Sequence, residues 1–179
     1  MGEKEVVHVA RFDSPVGALR VASTLRGLAY LELPRASGRG LSGWLRRQRP
    51  SVQVVEGFAP NREAVRQVLE YLEGKRREFA LALDLRGTPF QREVWQALLG
   101  IPRGETRSYR EIAEAVGRPG ALRAVGGANG ANPVPLVVPC HRVIESGGRL
   151  GGFGGGAELK AWILALEGAA PADAEPRLL

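Results

Sequence analysis

The chain has 179 residues, 44% hydrophobic and 25% charged, which suits one or two small domains with a real core. No apolar run approaches the ~20 residues of a membrane span, and the charged start (Glu3, Lys4, Glu5) is not a signal-peptide core. A single cysteine allows neither an internal disulfide nor a cysteine-based zinc cluster and fits a reducing cytoplasm, while a net charge of +6 points to an anionic partner such as nucleic acid, or to a merely basic surface.

Residues 6–9, 18–22 and 28–33 read as three short strands, with turns at Ser14, Pro15, Val16, Gly17 and at Leu25, Arg26, Gly27. Such a meander needs a helix over one face. Residues 61–73 can supply it, with Asn61 as N-cap, Val65, Val68, Leu69 and Leu72 as an apolar stripe, and Gly74 as the stop. Residues 78–85 alternate, with Phe79, Leu81, Leu83 and Leu85 on one face, as a further strand would. Arg35, Arg39, Arg46, Arg47 and Arg49 surround Trp44 in what reads as a solvated loop and short helix. His8 reads as structural.

A boundary is expected near Arg86 and Gly87. Thr88, Pro89 and Gln91 then form a strong helix start, with Phe90, Val94, Leu98 and Leu99 as its buried face and Gly100 as its end. Ser108 and Glu111 form a second capping box, opening a helix that buries Ile112, Ala113 and Val116 and stops at Gly117. After the turn Arg118, Pro119, Gly120 another helix begins near Ala121, giving a helix-turn-helix. Its apolar stripe is Ala121, Ala124, Val125 and Ala128; the opposite stripe is Arg123, Gly126, Gly127 and Gly130. Each interior glycine costs about 1 kcal/mol relative to alanine. A bare helix face that lets something approach the backbone explains that cost, with Arg123 as the projecting group and Asn129 as the one polar exception. These features suggest sequence-independent, minor-groove DNA binding.

Pro139, Cys140, His141, Arg142 and Val143 then bring the only cysteine beside one of two histidines, after an apolar run stiffened by Pro133 and Pro135. A thiol, a base and restricted water are what a nucleophile site needs. Residues 147–156 hold seven glycines around Arg149, Leu150 and Phe153, a loop able to close over a ligand. Gly152, Gly154 and Ala157 only weakly match a dinucleotide-binding spacing, for no strand precedes them. Residues 157–167 form a last helix burying Leu159, Trp162, Ile163 and Leu166, with Glu167 at its end.

The run Pro139-Cys140-His141-Arg142-Val143, preceded by Arg123 to Ala128 and by Asn132, Pro133, Val134 and Pro135, resembles the O6-alkylguanine-DNA alkyltransferases. The likeness runs from about Phe90 to Gly168. It implies an α+β protein: a ribonuclease-H-like unit of small antiparallel sheet with helices over residues 1–86, a winged helix-turn-helix-like alkyltransferase domain over 87–170, and a disordered tail over 171–179. It implies that Cys140 takes the alkyl group irreversibly, that His141 acts as base through a water and is oriented by Glu167, and that Asn132 ties the recognition helix to the Cys140 segment. Tyr109 would contact the flipped base and its phosphate, Arg123 would fill the gap in the stack, and Gly126 and Gly127 would face DNA. Backbone groups of Cys140 and Val143 would read the guanine edge, and Pro135 and Phe153 would wall the pocket. Many relatives carry serine where this chain has Gly154, whose N–H could still donate to the guanine oxygen. The implied partner is double-stranded DNA carrying O6-alkylguanine, with O4-alkylthymine left open; no cofactor, metal or membrane is implied, and a monomer is expected.

A non-enzymatic lesion sensor of the alkyltransferase-like type would lack the cysteine. A plain helix-turn-helix regulator would need longer base-reading side chains on the second helix. A Cys-His hydrolase would leave the glycine-faced helix unexplained.

Overall fold

The computed structural model describes residues 3–35 and 40–169; Arg39 and the 171–179 tail lie outside the described residues. The chain divides into two compact units, one ending at Arg86 and the other starting at Gly87.

The first unit is built on four strands, β1 (Glu5–Ser14), β2 (Gly17–Thr24), β3 (Gly27–Glu32) and β4 (Val52–Glu56), in the order β3-β2-β1-β4. β1 and β2 form an antiparallel hairpin pairing Val9 with Ala22 and Phe12 with Leu19. Its turn is closed by Ser14, whose Oγ donates to the Gly17 carbonyl at 2.6 Å. β4 has no counterpart among the strands expected from sequence, and it pairs with β1 in parallel, so the sheet is mixed at that edge. Between β3 and β4 lies α1 (Gly40–Gln48). Its Leu41 and Trp44 pack with Val7, Val9, Ala22, Ala29 and Val52, so Trp44 is core and not part of a basic surface.

Helix α2 (Arg62–Leu72) buries Ala64, Val65, Val68, Tyr71 and Leu72. Asn61 does not cap it. The side chain is fully buried and bonds instead to the sheet and the approach loop: Oδ1 accepts from Ser23 Oγ at 2.7 Å, and Nδ2 donates to the carbonyls of His8 and Gly57. Residues 78–85 are not a strand. Only a single bridge forms, where Leu28 N–H donates to the Ala82 carbonyl and Asp84 N–H to the Leu28 carbonyl. Asp84 is drawn inward by Thr24 and Arg86, and Arg86 also reaches Glu5 at 2.7 Å.

The second unit opens with α3 (Pro89–Leu99), whose Thr88–Gln91 capping box is fully formed. Its buried face is Val94, Trp95 and Leu98; Phe90 is half-buried and Leu99 is 38% exposed. Trp95 takes the place expected for those two, and its Nε1 donates to the Ala128 carbonyl at 2.8 Å. Gly87 is required here, because a Cβ would collide with the Trp95 ring. Helix α4 (Tyr109–Ala115) carries the Ser108–Glu111 capping box, and Gly117, at φ +71°, turns the chain toward α5 (Leu122–Gly130). Two short strands, β5 (Arg107–Ser108) and β6 (Val143–Ile144), pair in parallel. They set the start of α4 beside the end of the Cys140 turn. Helix α6 (Ala157–Glu167) closes the unit.

Candidate active site and nucleic-acid interface

Residues 132–138 form a loop tied by its own first side chain. Asn132 Nδ2 donates to the Val138 carbonyl at 2.8 Å, while its Oδ1 accepts from Val134 N–H at 3.0 Å. Val134, Leu136, Val137 and Val138 are buried. Leu136 sits at φ +72°, a left-handed conformation costing about 1–3 kcal/mol that persists only where the surroundings impose it. This stiff approach delivers Cys140, His141 and Arg142 as one turn of 3-10 helix.

Cys140 is 5% exposed. Burial pushes its pKa up, while the Asn132 side chain and the Lys160 charge pull it back. His141 is fully buried, with Nε2 3.0 Å from Glu167 Oε1. Its Nδ1 has no hydrogen-bond partner among the described residues. Burial holds the imidazole pKa down and Glu167 opposes that, so the neutral ring is favoured. With Nε2–H given to the carboxylate, Nδ1 is left as a bare acceptor, the state a general base requires. The Phe153 ring meets the His141 ring edge-on, with centroids 6.4 Å apart.

Two residues complete the site that sequence reasoning missed. Arg142 forks onto Glu167, Nε to Oε2 at 3.0 Å and Nη2 to Oε1 at 2.8 Å, and its Nη1 donates to the Ile101 carbonyl. Lys160, one of three lysines beside 22 arginines, lies buried on α6. Its Nζ donates to the carbonyls of Val143 at 2.6 Å, Leu150 and Gly152. It thereby fastens the glycine-rich loop to the strand that follows Cys140. The buried face of α6 is accordingly Leu159, Lys160, Ile163, Leu164 and Glu167, with Trp162 and Leu166 only half-buried. The signal was available: positions 159, 160, 163, 164 and 167 share one helical face, and a charge at its centre demands partners.

Tyr109, the first residue of α4, is half-buried against Gly151, where a Cβ would stand 3.4 Å from the phenol oxygen. Burial pushes the Tyr109 pKa up, and Cys140 adds to that shift. Val143 is buried, Pro135 is half-buried, and Gly154 is exposed with open space around it.

Helix α5 presents a different surface. Val125, Ala128 and Asn129 are buried, whereas Ala124, expected in the apolar stripe, is exposed. Asn129 therefore points inward rather than at a partner. Arg123 and Gly127 are exposed. A Cβ at Gly126, Gly127 or Gly130 would meet nothing within 4 Å. The protein's own packing does not need these glycines, and at the interior positions 126 and 127 their cost of about 1 kcal/mol each points to something outside the chain; Gly130 ends the helix.

Residues 89–169 match the 6-O-methylguanine DNA methyltransferase, DNA binding domain, and residues 7–85 match its ribonuclease-like domain. The chain belongs to the 6-O-methylguanine DNA methyltransferase family. It is 47% identical over 172 residues to the methylated-DNA–protein-cysteine methyltransferase of Mycobacterium tuberculosis, covering 94% of this chain and 97% of that one. The like-named protein of Methanosarcina barkeri is 43% identical over 87% of this chain and 93% of its own. Among solved structures, Mycobacterium tuberculosis OGT in complex with DNA superposes with a TM-score of 0.78 at 45% identity, over 93% of this chain and 96% of that one.

Proposed function

We propose that this chain repairs alkylated DNA by direct reversal: it binds double-stranded DNA through the minor groove, takes an O6-alkylguanine out of the stack and moves the alkyl group to Cys140. The observation that carries this reading is the buried Cys140 in one 3-10 turn with the buried His141, whose Nε2 is held by Glu167 and whose Nδ1 has no hydrogen-bond partner among the described residues. The thiol loses its proton through a bridging water to His141 Nδ1, and Glu167 stabilises the imidazolium that forms. The thiolate sulfur attacks the alkyl carbon. The S–C bond forms as the C–O6 bond breaks, the electron pair returns to the guanine, and the proton ends on its ring nitrogen. The thioether is not reversed, so each chain acts once.

Extrusion is needed because O6 is out of reach inside a duplex, and weakened pairing at the lesion lowers its cost. Arg123 fills the vacated stack, and Gly126 and Gly127 let the α5 backbone lie close to DNA. Tyr109 meets the flipped base and adjoining phosphate, and backbone groups of Cys140 and Val143 read its edge. Pro135 and Phe153 wall the pocket, and Gly154 N–H faces the guanine oxygen. Residues 87–170 carry this chemistry and residues 1–86 form a separate domain. The protein acts as a monomer in the cytoplasm, where its one thiol stays reduced.

Titration of the protein with a duplex containing one O6-methylguanine tests the reading. Repaired lesions should plateau at one per chain. Continued turnover, or tight lesion binding with no repair, overturns it; the latter outcome is that of a lesion sensor.

A further inference from the structure

Among the described residues, Leu25, Phe58, Leu99 and Leu122 are exposed large apolar side chains. Leu25 and Phe58 lie in connections of the first unit, and Leu99 is the last residue of α3. A single exposed leucine is ordinary and says nothing by itself. Leu122 differs in where it stands. It is 42% exposed at the first position of α5, directly before Arg123.

Successive residues of an α-helix are about 100° apart around the axis. Val125, Ala128 and Asn129 share one side of α5 and are buried. Arg123, Gly126, Gly127 and Gly130 lie on the other side, and a Cβ at any of the three glycines would meet nothing within 4 Å. Leu122 stands one turn before Gly126, so it flanks the glycine face. With Ala124 also exposed, the outer side of α5 is trimmed to glycine and alanine except at two adjacent positions. One carries a charge and the other a branched alkyl group. The fold buries neither, so what Leu122 packs against lies outside the chain.

A duplex minor groove offers such a surface. Its rims carry phosphates, but its walls are lined by the C–H faces of deoxyribose, the same at every base pair. Proteins that enter this groove set leucine and other apolar side chains against the duplex there. We infer that Leu122 is an apolar contact of the DNA interface, packing against deoxyribose on the minor-groove wall beside Arg123; this rests on the minor-groove reading proposed above. The contact carries neither charge nor sequence information. It therefore adds affinity that salt does not screen, unlike the phosphate contacts.

Equilibrium binding of Leu122→Ala and Leu122→Gln to two unmodified duplexes of different sequence tests it, over a salt series and with thermal unfolding alongside. Both variants should bind both duplexes about fivefold more weakly, as expected when part of a leucine loses its burial. The dependence of affinity on salt should stay that of wild type. The thermal midpoint should not fall. Wild-type affinity in both variants overturns the assignment, as does a loss that differs between the sequences or shrinks as salt rises. A lowered thermal midpoint overturns it too, because Leu122 would then serve the fold. If wild type binds neither duplex, it is the minor-groove reading that fails.

Discussion

Arg142 and Lys160 are the residues on which the geometry around Cys140 depends. The Arg142 guanidinium and the Glu167 carboxylate are both buried, and each supplies the other's counter-charge. Removing one partner of such a pair strands the other, at a cost of about 3–5 kcal/mol. Arg142→Met should therefore lower unfolding stability by about 3 kcal/mol in urea titration. It should also slow transfer, because Glu167 would no longer be fixed against His141. Lys160 gives a pH signature. Burial lowers its pKa from 10.5 to about 8. Between those values the unfolded chain holds a proton here that the folded chain has released, so this group adds stability as pH rises through about 8 to 10.5. Wild type should gain in urea midpoint relative to Lys160→Met between about pH 7.5 and 9.5; a constant difference would mean that Lys160 is not a buried titrating charge. The Cys140–His141 pair was legible because both residues are rare and adjacent. Arg142 and Lys160 were not, because their partners lie 25 residues away at Glu167, 41 away at Ile101 and 17 away at Val143.

At the scale of elements, local signals served where the structure is local. Both capping boxes, at Thr88 and Ser108, form as their spacing dictates. Asn61 misled because a good cap residue is equally good at bonding other groups, here two distant ones at Ser23 and His8 and a nearby one at Gly57, and burial chose the latter. Strand β4 was missed because a parallel partner is joined by a crossover and leaves no turn signal beside it. The glycine face of α5 was legible because it breaks helix propensity for no internal gain. It leads to a prediction with two opposite signs. Gly127→Ala adds a Cβ into open space, so it should raise stability by about 0.5–1 kcal/mol. The same substitution should weaken binding to duplex DNA. Thermal unfolding and a gel-shift titration check the two halves. A stability loss would show that the glycine serves internal packing.

For the molecule as a whole, the net charge of +6 suits a polyanionic partner such as DNA, and backbone-dominated binding, as proposed, makes a prediction about salt. The affinity for unmodified duplexes of different sequence should fall in parallel as salt rises, since α5 carries almost nothing that reads bases. Divergent slopes would indicate base reading from elsewhere. A stiff proline-rich loop, a 3-10 turn and the buried Glu167 hold Cys140 and His141 in register, and a helix with an exposed glycine face lies earlier in the same unit. The central claim is that Cys140 itself receives the alkyl group. The most direct measurement is intact-protein mass followed by peptide mapping, after incubation with a duplex carrying one O6-methylguanine, with Cys140→Ala alongside. One methyl group per chain, located on Cys140 and absent from the variant, is the predicted result. An unchanged mass, or a methyl group on any other residue, would contradict it.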